Sequence, residues 1–139
     1  MQKILCILGV TLMSFLVGCM NNSSVTAESN NAQSVAMETI SPDKAKALME
    51  AEKDYIILDV RNEDEYKNDG HFKNAVLIPL PELSDRAVAE LKDKNQLIFV
   101  YCRSGRRSLS AAKELVELGF TNIKDIGGIN NWPYSDKLE

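Results

Sequence analysis

The sequence predicts an α/β domain built on a mainly parallel sheet that is buried on both faces. Two observations carry this expectation. Tyr55-Ile56-Ile57-Leu58 and Leu97-Ile98-Phe99-Val100-Tyr101 are continuous apolar runs rich in β-branched and aromatic residues, as expected of strands with no solvent face. Segments with helical patterning lie around them, and strands that alternate with helices select a parallel sheet with crossover connections. The 139 residues suit one domain, and a hydrophobic share of 45% is enough for one core.

The elements follow in order. Met20 to Glu38 is rich in Asn, Ser, Ala and Thr without hydrophobic periodicity, so it reads as a flexible tether and the folded unit is expected to begin near Thr39. Ser41-Pro42-Asp43 starts a helix with a capping hydroxyl, proline at the first helical position and an acid in the first turn. Ala45, Leu48 and Met49 then share a face. After the strand Tyr55–Leu58 comes a short polar helix over Asn62–Lys67; of its acids Glu63, Asp64 and Glu65, Glu65 is the one expected to turn inward. Ala75–Ile78 reads as a strand stopped by Pro79. Pro81–Leu91 reads as a helix with Leu83, Val88 and Leu91 inward. Beyond the strand Leu97–Tyr101, a helix over Ser108–Leu118 turns Leu109, Ala112, Leu115 and Val116 inward and closes at Gly119. Asn122–Ile126 is a last short strand before Gly127-Gly128.

The chain begins differently. Ile4 to Val17 is almost wholly apolar after Lys3. It is short of the roughly 20 residues a membrane span needs and suits the apolar region of a secretory signal peptide. It ends in Leu16-Val17-Gly18-Cys19, which resembles the bacterial lipobox, where the signal is cut before the cysteine and the cysteine receives lipid. The expected organisation is therefore a signal peptide over 1–18, a lipid-attached linker over 19–38 and a domain over 39–139. An ordinary signal peptide cut nearby, or an uncleaved anchor, is the competing reading. The lipobox resemblance implies an exported bacterial lipoprotein in the cell envelope, held to a membrane through lipid on Cys19. Cleavage removes Cys6 and lipid occupies Cys19, which leaves Cys102 as the remaining thiol, with no internal disulfide available. Exported proteins normally pair their cysteines, so an unpaired one asks for a chemical reason.

The formal net charge of -4 argues against a nucleic-acid partner, which calls for a basic face. Basic residues do cluster at one place. The strand Leu97–Tyr101 runs into Cys102-Arg103-Ser104-Gly105-Arg106-Arg107-Ser108, and a helix follows. A strand, a tight loop and a helix N-terminus converge backbone N–H groups on one point, where the helix dipole adds positive potential. A cysteine at the first loop position faces that cradle. The loop N–H groups and nearby arginines stabilise its thiolate and lower its pKa, making it both nucleophile and leaving group. Gly105 permits backbone conformations that other residues resist. No His/Cys cluster has metal-ligand spacing, and neither a metal nor a cofactor is expected.

Three strings resemble the rhodanese (thiosulfate sulfurtransferase) family. The first is Tyr101 through Ser108. The second is Leu58-Asp59-Val60-Arg61 followed by Glu65-Tyr66 and Gly70-His71-Phe72. The third is Gly127-Gly128 followed by Trp132. The resemblance runs from about Thr39 to the C-terminus as a single-domain version. It implies a rhodanese-like fold with a central five-stranded, mostly parallel sheet flanked by helices. It implies that Cys102 accepts sulfane sulfur from a small anionic donor such as thiosulfate or polysulfide, then passes it from a persulfide to cyanide or a thiol. The N–H groups from Arg103 to Arg107 would hold the persulfide, with Arg107 orienting or neutralising the donor. Arg103 and Arg106 either assist or point to solvent. Asp59 and Arg61 would support the site as a buried pair rather than act chemically. His71, the one histidine, is either a partner of Cys102 or a structural turn residue after Gly70, and the resemblance favours the turn. Trp132 would cover the core.

Three rival functions stay open. Phosphatases and arsenate reductases of related fold also hold a cysteine thiolate beneath a nest of N–H groups. The dual-specificity phosphatases place an arginine six positions after the cysteine. Ser108 stands there in this chain and Arg107 falls one earlier, so the loop suits sulfur better than a phosphoryl group. A non-catalytic carrier that binds polysulfide or serves one partner needs the same residues. A thiol-redox or detoxification role is the third.

Overall fold

The computed structural model describes residues 35–136 and 138–139. Five strands, β1 (Met37–Thr39), β2 (Tyr55–Asp59), β3 (Val76–Leu77), β4 (Leu97–Cys102) and β5 (Ile123–Gly128), form one sheet in the order β1-β5-β4-β2-β3. All of its strand pairs are parallel. Helices α1 (Pro42–Ala51), α2 (Glu63–Asn68), α3 (Leu83–Glu90) and α4 (Arg106–Glu117) supply the crossovers, with short 3₁₀ turns at Leu80–Glu82 and Ile129–Asn131. The α/β class and the five-stranded sheet expected from the sequence are both present. An isolated antiparallel bridge, Phe72 to Leu138, lies outside the named strands.

Strand β4 is the centre of the sheet, and all six of its residues are buried. Alternation divides them between two cores. Ile98, Val100 and Cys102 face a cluster with Leu58, Leu83, Ala87, Ala111, Ala112 and Leu115. Leu97, Phe99 and Tyr101 face a second cluster with Ala45, Met49, Phe72, Ile126 and Trp132. Trp132 is core cover, packed edge-on against Phe72 at 4.7 Å.

Helix α1 starts as expected: the Ser41 hydroxyl accepts from the Lys44 N–H, and Pro42 takes the first helical position. Other expectations need correction. A strand occupies Met37–Thr39, and its first two residues, Met37 and Glu38, fall in the stretch expected to be tether, so the folded unit begins two residues earlier than Thr39. Three residues on a sheet edge are too few to show periodicity, and their pairing with β5, more than 80 residues away, is invisible locally. The helix expected over Pro81–Leu91 opens with a 3₁₀ turn. Val88 is 48% exposed and Ala87 takes the inward position. Leu109 (38%) and Val116 (37%) likewise face out, while Ser108, Ala111, Ala112 and Leu115 form the inward stripe of α4. Small side chains on that stripe let α4 lie close to β4 and β5, so residue size misleads where spacing does not. The leader over 1–18 and Cys19 lie outside the described residues, as does the linker up to residue 34.

Candidate active site

Strand β4 ends at Cys102 and α4 begins at Arg106, so three residues make the whole turn. The turn is possible because Gly105, the residue before the helix, adopts φ +101°, a left-handed conformation that side chains resist. The result is a backbone that curls around the sulfur. The Gly105 N–H donates to Cys102 Sγ at 3.1 Å. Cys102 is 1% exposed, and burial alone pushes its thiol up. The amides of Ser108, Gly105, Ser104 and Arg107 outweigh that effect and hold it below the ordinary thiol value.

A second glycine pair holds this loop from the other side. Between Val100 and Tyr101 the β4–β5 register shifts, so Val100 faces Asp125 while Tyr101 faces Gly127. Beyond that bulge Gly128 meets the loop backbone closely: a Cβ there would lie 2.6 Å from the Arg103 carbonyl oxygen and from Ser104 Cα. No side chain fits at that position without moving the loop. The Asn130 N–H then donates to the Arg103 carbonyl at 3.2 Å. The Gly127-Gly128 string thus acts by letting β5 close on the reactive loop.

The expected loop residues divide by role. Ser108 is buried, and its amide faces the sulfur while its hydroxyl turns away, 2.7 Å from Asp125 Oδ1 and 2.9 Å from the Gly105 carbonyl. Arg103, Ser104 and Arg106 are exposed. The side chains of Arg103 and Arg106 make no ion pair among the described residues. Arg107 is partly buried and has a partner: its Nη1 and Nη2 donate to the two carboxylate oxygens of Glu65, each at 2.7 Å. The bidentate Arg107 guanidinium holds the Glu65 carboxyl at about 2. Glu65 therefore stays charged at neutral pH. Its contribution to stability is complete above the unfolded carboxyl value and is lost only as pH falls through about 2.

Asp59 and Arg61 are fully buried and paired, as expected. Asp59 accepts from the Arg61 N–H at 2.9 Å, from Arg61 Nε and Nη2, and from the Tyr101 hydroxyl at 2.6 Å. Burial, then the Asp59 charge, pushes the Tyr101 phenol far up, so it remains a neutral donor. Since Tyr101 precedes Cys102, this network fixes the end of β4. His71 lies elsewhere. It stacks on Tyr66 at 3.8 Å between centroids and exchanges backbone hydrogen bonds with Glu139, which places it in the structural turn. Two site residues escaped the sequence reading as members of the site. Glu65 shows in the sequence as an inward-turning acid and as part of the second family-like string, without a site role, and Asp125, which accepts from Ser108 and from the Gly127 N–H at 3.0 Å, carries no local mark.

Similarity to known proteins matches this geometry. The rhodanese-like domain profile matches residues 41–134. Thiosulfate sulfurtransferase PspE of Escherichia coli is 36% identical over 74 residues, which span 53% of this chain and 70% of that protein. Thiosulfate sulfurtransferase GlpE of Coxiella burnetii is 37% identical over 81 residues, spanning 58% and 73%. Among solved structures, a rhodanese-like domain protein from Staphylococcus aureus aligns with TM-score 0.63 at 29% identity, covering 74% of this chain and 97% of that one. With a cysteine at the end of the central strand, a three-residue turn and a profile match over most of its length, the chain belongs to the rhodanese-like domain family.

Proposed function

We propose that the chain is a sulfurtransferase that moves sulfane sulfur from thiosulfate or a polysulfide to a thiol or cyanide through a persulfide on Cys102. Similarity to thiosulfate sulfurtransferases supports sulfur transfer in general. The observation that carries the finer reading is the convergence of loop amides on a buried sulfur, which holds its pKa below the ordinary thiol value despite burial. The Cys102 thiolate attacks the outer sulfur of thiosulfate. The S–S bond of the donor breaks, and sulfite leaves with the electron pair. The new terminal sulfur carries the negative charge and sits among the amides of Ser104, Gly105, Arg107 and Ser108. An acceptor thiolate or cyanide then attacks that sulfur, and Cys102 leaves as the thiolate its surroundings stabilise. Arg107 neutralises the approaching donor, and Arg103 and Arg106 stand exposed at the rim.

Burial of Cys102 favours a second reading, since a sulfur shielded in the loop keeps its charge between donor and acceptor as a carrier requires. Kinetics separate the two. Multiple turnovers with thiosulfate and cyanide are expected of a catalyst; a single stoichiometric loading of Cys102, seen by intact mass, would leave only the carrier. A phosphatase would turn over phosphate esters faster than thiosulfate in a Cys102-dependent way, and that result would overturn both.

Lipidation of Cys19 and attachment to a membrane of the cell envelope are part of the same proposal, supported by the Leu16-Val17-Gly18-Cys19 string. Fractionation of cells expressing the chain is expected to place it with membranes, and Cys19→Ala is expected to release that attachment. Unchanged membrane association in the variant would rule out the lipid.

A further inference from the structure

The ion pair between Glu65 and Arg107 joins residues 42 positions apart, and among the described residues it alone reaches the reactive loop. Both partners are restrained. Glu65 sits at the third position of α2, where Oε2 also accepts from the Asn62 N–H at 3.1 Å in a capping box. Helix α2 buries no residue fully, so core packing does not account for a carboxylate aimed at the loop. The two contacts take the Nη ends of the guanidinium. Arg107 itself lies in the first turn of α4, directly after the loop, and its backbone amide is among those that face the Cys102 sulfur. Arg103 and Arg106, with no such partner, are exposed.

We propose that Glu65 is a positioning residue for the reactive loop: it clamps the Nη end of Arg107 and so keeps the guanidinium charge beside the Cys102 loop, where the donor anion arrives. An arginine released from this clamp has the reach to swing into water, where the hydrated cation is stable, as Arg103 and Arg106 already lie. Glu65 touches neither the sulfur nor the donor and acts through Arg107. The donor half of this statement rests on the sulfur-transfer reading; the clamp itself does not.

The test uses the purified full-length chain and the variants Glu65→Ala, Glu65→Gln, Arg107→Gln and Glu65→Ala/Arg107→Gln. Alkylation at the Cys102 peptide is followed by mass spectrometry against pH, once with neutral iodoacetamide and once with anionic iodoacetate. Glu65→Ala is expected to raise the pH midpoint of alkylation by about one unit. The preference for iodoacetate over iodoacetamide should fall at least about threefold, to the level of Arg107→Gln, because positive charge has left the sulfur. Glu65→Gln, which keeps an acceptor oxygen and the side-chain shape, should fall between and covers the case in which the alanine variant does not fold. Adding Arg107→Gln to Glu65→Ala should change nothing further, since one residue acts through the other. A rise in the iodoacetate preference in Glu65→Ala or Glu65→Gln would overturn the proposal, since Glu65 would then mainly cancel the Arg107 charge. Additive losses in the double variant, or no change in any Glu65 variant, would overturn it equally. Failure of the wild-type chain to gain sulfur from thiosulfate would instead count against sulfur transfer, and the alkylation series would still decide the role of Glu65.

Discussion

Cys102→Ser is expected to abolish persulfide loading and to lower any thiosulfate turnover by at least about 10⁴-fold, the scale seen when a nucleophile is removed from a site that works as a unit. A serine hydroxyl is not ionised in this cradle at neutral pH and has no sulfur to extend. The substitution is otherwise mild. Serine is slightly smaller than cysteine, and its oxygen still accepts the Gly105 N–H that now meets Sγ at 3.1 Å. Unfolding of the variant should therefore stay within about 1.5 kcal/mol of the parent chain. Intact mass after exposure to thiosulfate or polysulfide is the measurement, with urea unfolding beside it. A gain of sulfur by the variant equal to that of the parent chain would refute Cys102 as the sulfur-bearing atom.

Asp59→Ala is expected to destabilise the domain by about 3–5 kcal/mol, because it strands the guanidinium of Arg61 without its counter-charge in a fully buried place. Four donors are affected at once: the Arg61 N–H and Nε and the Tyr101 hydroxyl lose their Asp59 acceptor, and Nη2 keeps only the Gly70 carbonyl. The Nη1 atom of Arg61 is already buried without a hydrogen-bond partner, so no slack remains to absorb the loss. Single domains are stable by roughly 5–15 kcal/mol, so the variant stands near unfolding at room temperature. Urea denaturation measures the loss. A change below about 1 kcal/mol would mean that water enters and hydrates Arg61, and that the pair is not what holds β2 to the end of β4. The double variant Asp59→Ala/Arg61→Met should recover part of the stability, since the stranded charge is then gone.

How legible the site is from sequence depends on whether its parts are local. Strand β4 announces itself as five apolar residues in a row, and the residues after it carry cysteine, glycine and arginine at the spacing of a tight anion-holding turn. Everything in that stretch is within seven positions of Cys102, and the structure puts its amides around the sulfur. The supports come from far away. Glu65 reaches Arg107 across 42 positions and Asp125 reaches Ser108 across 17. Asp125 carries no pattern that differs from a solvated acid, and Glu65 shows only as an inward-turning acid with no sign of its partner, whereas Asp59 two residues from Arg61 reads as a pair. Met37 and Glu38 of strand β1 look like tether for the same reason, since the strand's only mark is its partner. Bulk points Leu109 and Val116 inward, whereas α4 needs its small side chains against the sheet.

The order of the strands has a consequence for how the chain acquires this site. Strand β1, the first in sequence, lies beside β5, the last. It cannot find a partner until the chain as far as Asp125 is available, and closing so long a loop is the slow kind of step in folding. The same late arrival delivers Gly127 and Gly128 to the back of the reactive loop. A chain still being synthesised would carry Cys102 without its finished cradle. The loop around Cys102 therefore gains its full set of backbone supports only when the sheet is complete.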